Sequence, residues 1–204
     1  MKTRILFLST LIFFMTCCKK SNSNQDLVPF AQLLPETEFD GTSTKVKNLG
    51  AVNFPANTDF AFAGEVYPVN LQTFGRIWDF GPSDSNNFRF HQNTSSMARV
   101  AVGSFDHVLN VPNYWLNNTW IKVAVHYNNT TQELRLYKNG VIAGTQTGVT
   151  IPSGQRQNLI IGGSNWGGNF PNSAEPNTIM RTRNFKFYLG KISDASMQEL
   201  LIKQ

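Results

Sequence analysis

Between residues 120 and 140 apolar side chains recur at every second position, twice over. Val123, Val125 and Tyr127 share one parity while Lys122, Ala124 and His126 share the other, the pattern of a strand with one face in a core. Residues 128–131 read as a turn, after which Leu134 and Leu136 resume the alternation with Arg135 and Tyr137 opposite. Asn139 and Gly140 both tolerate positive φ and predict a tight reversal. Two antiparallel hairpins in succession are expected here.

The same period runs through much of the chain. Residues 59–67 set Phe60, Phe62 and Gly64 against Ala61, Ala63 and Glu65, and residues 75–81 set Trp78 and Phe80 against Ile77 and Asp79. Phe88 and Phe90 alternate with Arg89 and His91, and Val100 and Val102 with Arg99 and Ala101. Residues 141–147 and 158–163 follow as strands, and in 178–190 Phe185, Phe187 and Leu189 alternate with Lys186 and Tyr188. Short strands at intervals of roughly 8 to 12 residues predict an all-β sandwich. Ser193 is a plausible N-cap for a short helix over 194–202, with Met197, Leu200 and Leu201 at helical spacing. Residues 82–87, 110–118 and 164–177 read as loops, the last one long enough to suggest a role in function. Ahead of these, Phe30, Leu33 and Leu34 are expected to pack an N-terminal strand or arm onto the sandwich, with a turn at 41–43.

These segments carry a resemblance to a known family. Trp120, Val123, Ala124, Val125, Tyr127, Leu134, Leu136, Tyr137, Asn139 and Gly140 match the W-h-h-V-A-V-T-Y-D … L-x-L-Y-V-N-G run of the LamG-like, concanavalin A-like jelly-roll superfamily. Asn128 stands where an Asp is usual, and Lys138 replaces a Val. Residues 59–67, 75–81 and 158–163 resemble further strands of that family, and F-K-F-Y-L-G-K-I-S-D-A-S-M-Q-E-L resembles its ending. Gly190 and Ile192 depart from that ending, and the Gly-x-I/L-D element that often precedes it is missing. The likeness spans about residues 55–203. It implies a two-sheet antiparallel jelly-roll sandwich of the concanavalin A type with a short C-terminal helix.

The N-terminus changes where such a domain is expected to work. Lys2 and Arg4 precede an apolar run over 5–15, broken by Ser9 and Thr10 and ending at Cys17 and Cys18. The run is too short for a membrane span and reads as a signal peptide. Its end resembles a bacterial lipobox of Bacteroidetes type, with Cys18 preferred as the lipid-bearing residue and Cys17 as the alternative. The expected organisation is a leader over 1–17, a polar tether over 18–26 and one jelly-roll domain over 27–204. The only two cysteines lie at the leader's end, so the domain has none to pair internally. Two of the 18 basic residues, Lys2 and Arg4, leave with the leader, so against 13 acidic residues the mature chain keeps a net charge of about +3. This mild, scattered charge gives no support for nucleic acid as a partner. The expected location is the outer membrane or cell surface, with membrane contact through the lipid alone.

For binding, the parity that faces away from the core is the informative one. Asp79, Arg89, His91, His126 and Arg135 fall on it, and if their strands share one sheet they form a single polar surface suited to sugar hydroxyls. The alternative is an ordinary solvated face. Loop aromatics framed by amides, Trp166 beside Asn165 and Trp115 beside Tyr114, are candidates for stacking on sugars or for plugging the ends of the sandwich. Trp120 is expected in the core. Some members of the resembled family bind calcium. Asp84, Asp106 and Glu175 stand apart in this sequence, so a calcium site here would rest on backbone carbonyls and one Asp. His91, His107 and His126 do not form a zinc-ligand set. The paired carboxylates of a glycosidase are missing. The leading expectation is therefore a non-catalytic carbohydrate-binding or adhesive module, its partner a glycan or a surface protein. A polysaccharide lyase or hydrolase, and a structural member of a surface complex, are the alternatives.

Overall fold

A computed structural model describes residues 27–81, 87–94, 96–103, 107–156, 158–164 and 175–203. Antiparallel pairing in two sheets accounts for nearly all of its regular structure. One sheet runs β1 (Ala31–Leu33), β15 (Ile179–Gly190), β5 (Asp59–Asn70), β10 (Ile121–Asn128), β11 (Glu133–Lys138) and β12 (Val141–Gln146), with β2 (Thr37–Asp40) also paired to β15. The other runs β3 (Lys47–Asn48), β14 (Leu159–Ile161), β6 (Arg76–Phe80), β7 (Phe88–Gln92), β8 (Ala98–Val102) and β9 (His107–Val111). A ribbon of β4 (Val52–Phe54) and β13 (Gly154–Arg156) stands beside them. The chain builds most of the second sheet between β5 and β10, then returns to the first, as a jelly roll does.

The predicted hairpins form in the predicted register. β10 pairs with β11 through Val125 opposite Leu136 and His126 opposite Arg135, and β11 pairs with β12. Asn139 and Gly140 join the latter pair at φ 51° and 82°, the left-handed conformation these two residues adopt at least cost. β12 also approaches β9 closely: a Cβ on Gly144 would lie 2.6 Å from Val111 Cγ2, so only glycine fits there.

Between the sheets lies an aromatic core. Trp78, Phe80, Phe88 and Phe90 from the six-stranded sheet meet Phe60, Phe62 and Phe187 from the seven-stranded one, all fully buried. Trp78 packs 5.0 Å from Phe88 and 5.7 Å from both Phe60 and Phe62, centroid to centroid, in edge-on contacts that favour aromatic quadrupoles. A second, smaller core covers the back of the seven-stranded sheet. There Ala61, Ala63 and Ala124 leave room for helix α1 (Asp194–Ile202), which seats Met197 and Leu201 against Tyr137 and Tyr188. Ser193 caps the helix, its Oγ accepting the Ser196 amide at 3.1 Å.

Three sequence expectations are corrected. Trp120 is half-buried on the outside of the seven-stranded sheet, with the Arg183 guanidinium 4.2 Å over its ring and Tyr67 5.5 Å away. Residues 107–111, partly read as loop, form edge strand β9. Ile77 belongs to the central core, because an extra residue in β6 between Arg76 and Trp78 shifts the parity at that point.

Candidate functional site

The same shift in β6 assembles the most polar part of the molecule. It turns Arg76 onto the outward face, directly opposite His91 of β7, which is in turn opposite Arg99 of β8 and then Asn110 of β9. Four neighbouring strands thus present one transverse row, Arg76, His91, Arg99 and Asn110. Behind it runs a second row in which Asp79 stands opposite Arg89.

The inner end of this arrangement is closed by hydrogen bonds. Arg76 donates from Nε to Asp79 Oδ2 at 3.3 Å, from Nη1 to the Phe74 carbonyl at 3.1 Å, and from Nη2 to Glu175. Asn87 Nδ2 donates to Asp79 Oδ1 at 2.7 Å, and Arg89 Nη1 donates to Asn87 Oδ1 at 3.0 Å and to the Gly103 carbonyl at 2.9 Å. Ser164 Oγ donates to Glu175 at 2.6 Å, and Thr178 Oγ1 to the Arg76 carbonyl at 2.6 Å. Asp79, Arg89 and His91 are fully buried, and Asp79 and Arg89 support the face from beneath. The outer end is open: Arg99 is half-buried, with Nε donating to the exposed Asn110 side chain at 2.8 Å.

Burial and crowding of like charge shape the electrostatics. The Arg89 guanidinium is pushed down to about 10, first by burial and then by the positive charge of Arg76. His91 is held well below the usual histidine range by the same two causes, so its imidazole is neutral at pH 7. Arg99 is lowered by burial and by Arg76. Among the described residues, Arg76, Arg89 and Arg99 stand against Asp79 and Glu175.

Three further candidates among the described residues, His126, Arg135 and Trp115, lie elsewhere, so the strands do not bring the outward parity together as a single polar surface. His126 and Arg135 are cross-strand neighbours on the back of the seven-stranded sheet, the opposite side of the sandwich from Asp79, Arg89 and His91. His126 is 1% exposed, and burial lowers its pKa against the opposing pull of Asp59. Arg135 pairs with Glu133 and donates to Asp194 Oδ1 at 2.8 Å, which ties the sheet to the start of α1. Trp115 is a core residue: it lies 5.4 Å from Phe90 and 4.8 Å from Tyr114, whose hydroxyl donates to the Tyr137 carbonyl at 2.5 Å. Asn165, Trp166, Asp84, Asp106, Cys17 and Cys18 lie outside the described residues.

Sequence reasoning missed Arg76, whose signal is hidden by the β6 bulge, and Arg99 with Asn110, whose alignment depends on a strand read as loop. Among the described residues no three His, Cys, Asp or Glu side chains gather as metal ligands. Asp79 and Glu175, the carboxylates of the cluster among the described residues, both pair with Arg76.

A family model matches residues 40–174, about two thirds of the chain. The chain belongs to the concanavalin A-like lectin/glucanases superfamily. The match takes in part of the N-terminal arm and stops short of β15 and α1. No curated protein gives a significant match. Among solved structures, the CBM40 module of the Ruminococcus gnavus IT-sialidase, bound to α2,3-sialyllactose, superposes with a TM-score of 0.64 at 12% identity, covering 86% of this chain and 98% of the module. The leech intramolecular trans-sialidase gives 0.60 at 16% identity, over 84% of this chain and 28% of the enzyme. The SAP-like pentraxin of Limulus polyphemus gives 0.53 at 15% identity, over 74% of each chain. At these identities the likeness is one of fold. As in other members of the superfamily, the sandwich leaves two outward faces, and here one holds the polar rows and the other the helix.

Proposed function

We propose that this protein is a non-catalytic carbohydrate-binding module displayed on a bacterial cell envelope, and that its ligand is a glycan carrying an acidic sugar. The observation that carries the reading is the transverse row Arg76, His91, Arg99, Asn110, braced from below and open at its Arg99 end. A pre-set row of planar hydrogen-bonding groups suits the hydroxyls and carboxylate of a saccharide, because little side-chain freedom is lost on binding. Three guanidinium groups to two carboxylates among the described residues of the cluster suit an anionic ligand. The Ruminococcus gnavus module of similar fold is seen with sialyllactose, which makes sialylated glycans the first to try. Display rests on the leader and lipobox pattern, with the lipid on Cys18.

Acid–base groups for the lyase alternative would come from Arg89, His91 and His126, and His126 sits on the opposite side of the sandwich from the other two. That separation supports binding over catalysis. A glycan array spanning sialylated host, plant and algal glycans tests the reading: sialylated or uronate-bearing glycans are expected to bind, and silence across the array overturns it. Cys18→Ser is expected to release the protein from the membrane fraction; unchanged retention would refute the lipid anchor at that residue.

A further inference from the structure

At the inner end of the polar row one aromatic side chain sits in a backbone conformation that does not suit it. Phe74 has φ +65°, and the other non-glycine residues with positive φ, among those described, are five Asn and one Gln. Amides adopt the left-handed region readily and a bulky aromatic does not. Three hydrogen bonds impose the conformation. The Phe74 amide donates to the Gln92 carbonyl at 2.9 Å, its carbonyl accepts from Arg76 Nη1 at 3.1 Å, and the next amide, Gly75, closes a turn onto the Gln72 carbonyl at 2.8 Å. Burial of the ring does not explain the strain, because Phe74 remains 39% exposed. What the conformation achieves is position: the ring lies 6.1 Å from the His91 ring, inclined at 36°.

His91 contributes the second half of the feature. Its Nδ1 lies 2.9 Å from the Gln92 carbonyl, and a carbonyl only accepts, so Nδ1 carries the proton. In the neutral ring Nε2 is then a bare acceptor. It is buried and has no hydrogen-bond partner among the described residues. A buried acceptor in this state favours a ligand that brings an O–H or N–H donor. The exposed ring beside it is Phe74.

We propose that Phe74 and His91 form a saccharide subsite, in which the Phe74 ring stacks on the C–H face of a pyranose and His91 Nε2 accepts a hydrogen bond from one of its hydroxyls. A pyranose supplies both requirements at once, an apolar face and a donor at its rim. The subsite rests on the glycan-binding reading above and extends it to two residues that fix which sugar face is presented.

The test compares the wild type with Phe74→Gly and His91→Phe, each titrated with the best glycan from the array. Glycine suits the backbone at 74, so Phe74→Gly is expected to melt at or above the wild-type temperature while binding at least tenfold more weakly. His91→Phe keeps the ring's bulk, and His91→Asn serves if that variant does not fold. Either is expected to weaken binding at least tenfold with the circular dichroism spectrum preserved. Wild-type binding that survives both changes overturns the subsite and leaves the glycan-binding reading standing. A Phe74→Gly protein that melts well below wild type overturns the assignment, since the ring would then be a packing residue. Absence of any glycan binding by the wild type overturns the reading and the subsite together.

Discussion

The two outward faces of this sandwich begin from the same alternation of residues and end as different materials. On the six-stranded sheet the outward positions of β6 and β7 are Asp79, Arg89 and His91, joined by Arg76, all buried, with Arg76, Asp79 and Arg89 linked through Asn87 by charged hydrogen bonds. On the seven-stranded sheet the corresponding positions of β5 and β10 are Ala61, Ala63 and Ala124, small enough to seat a helix, with His126 at the helix entrance. The first face is held by partners that must all be present. The second is held by shape. An outward-facing charge in a strand pattern therefore does not mean an exposed one.

The difference is sharpest where one partner is removed. Asp79→Ala takes the acceptor from both Arg76 and Asn87, and a broken buried charge network is expected to cost about 3–5 kcal/mol in urea denaturation. A loss below 1 kcal/mol would show that the cluster is wet and loosely held. On the opposite face Met197→Ala is expected to cost about 2–3 kcal/mol through the cavity left under the helix, with glycan binding unchanged. Altered binding in that variant would couple the two faces.

Acid separates them less. His91 and His126 both have lowered pKa values in the folded state, so the unfolded chain binds more protons and stability rises with pH. Stability should be flat above the ordinary histidine value of about 6.5 and fall as pH drops below it. His126→Gln should remove part of that fall in denaturation series at pH 7.5 and 5.5, and an identical slope would mean that His126 gains its proton without cost. Arg183→Ala, which loses the stack on Trp120 and a 2.8 Å pair with Glu65 on the surface, is expected to cost only about 0.5–1 kcal/mol. Smallest of all, calcium against chelator should leave the melting temperature unchanged, and a rise of several degrees with calcium would reveal a site outside the cluster described here.

Much of the fold was legible because period-2 burial is a local signal. Val123, Val125, Leu134 and Leu136 face the core as their parity requires, and Ser193 caps the helix at the position composition suggests. What could not be read was which sheet each strand joins, since that is decided by pairing across long separations: β5 meets β15 more than a hundred residues away. His126 and Arg135 were grouped with Arg89 and His91 for that reason. The β6 bulge hid Arg76 because one extra residue inverts parity without any mark in composition. Phe74 gave no sign at all, as positive φ at a phenylalanine is imposed by its surroundings and not by its own preference.

The placement of Leu27 gives the sandwich a front and a back. Leu27 packs against the same small cluster as α1, on the back of the seven-stranded sheet. The described chain therefore begins on the helix side, and the face that carries Arg99 and Asn110 lies across the whole thickness of the sandwich from it.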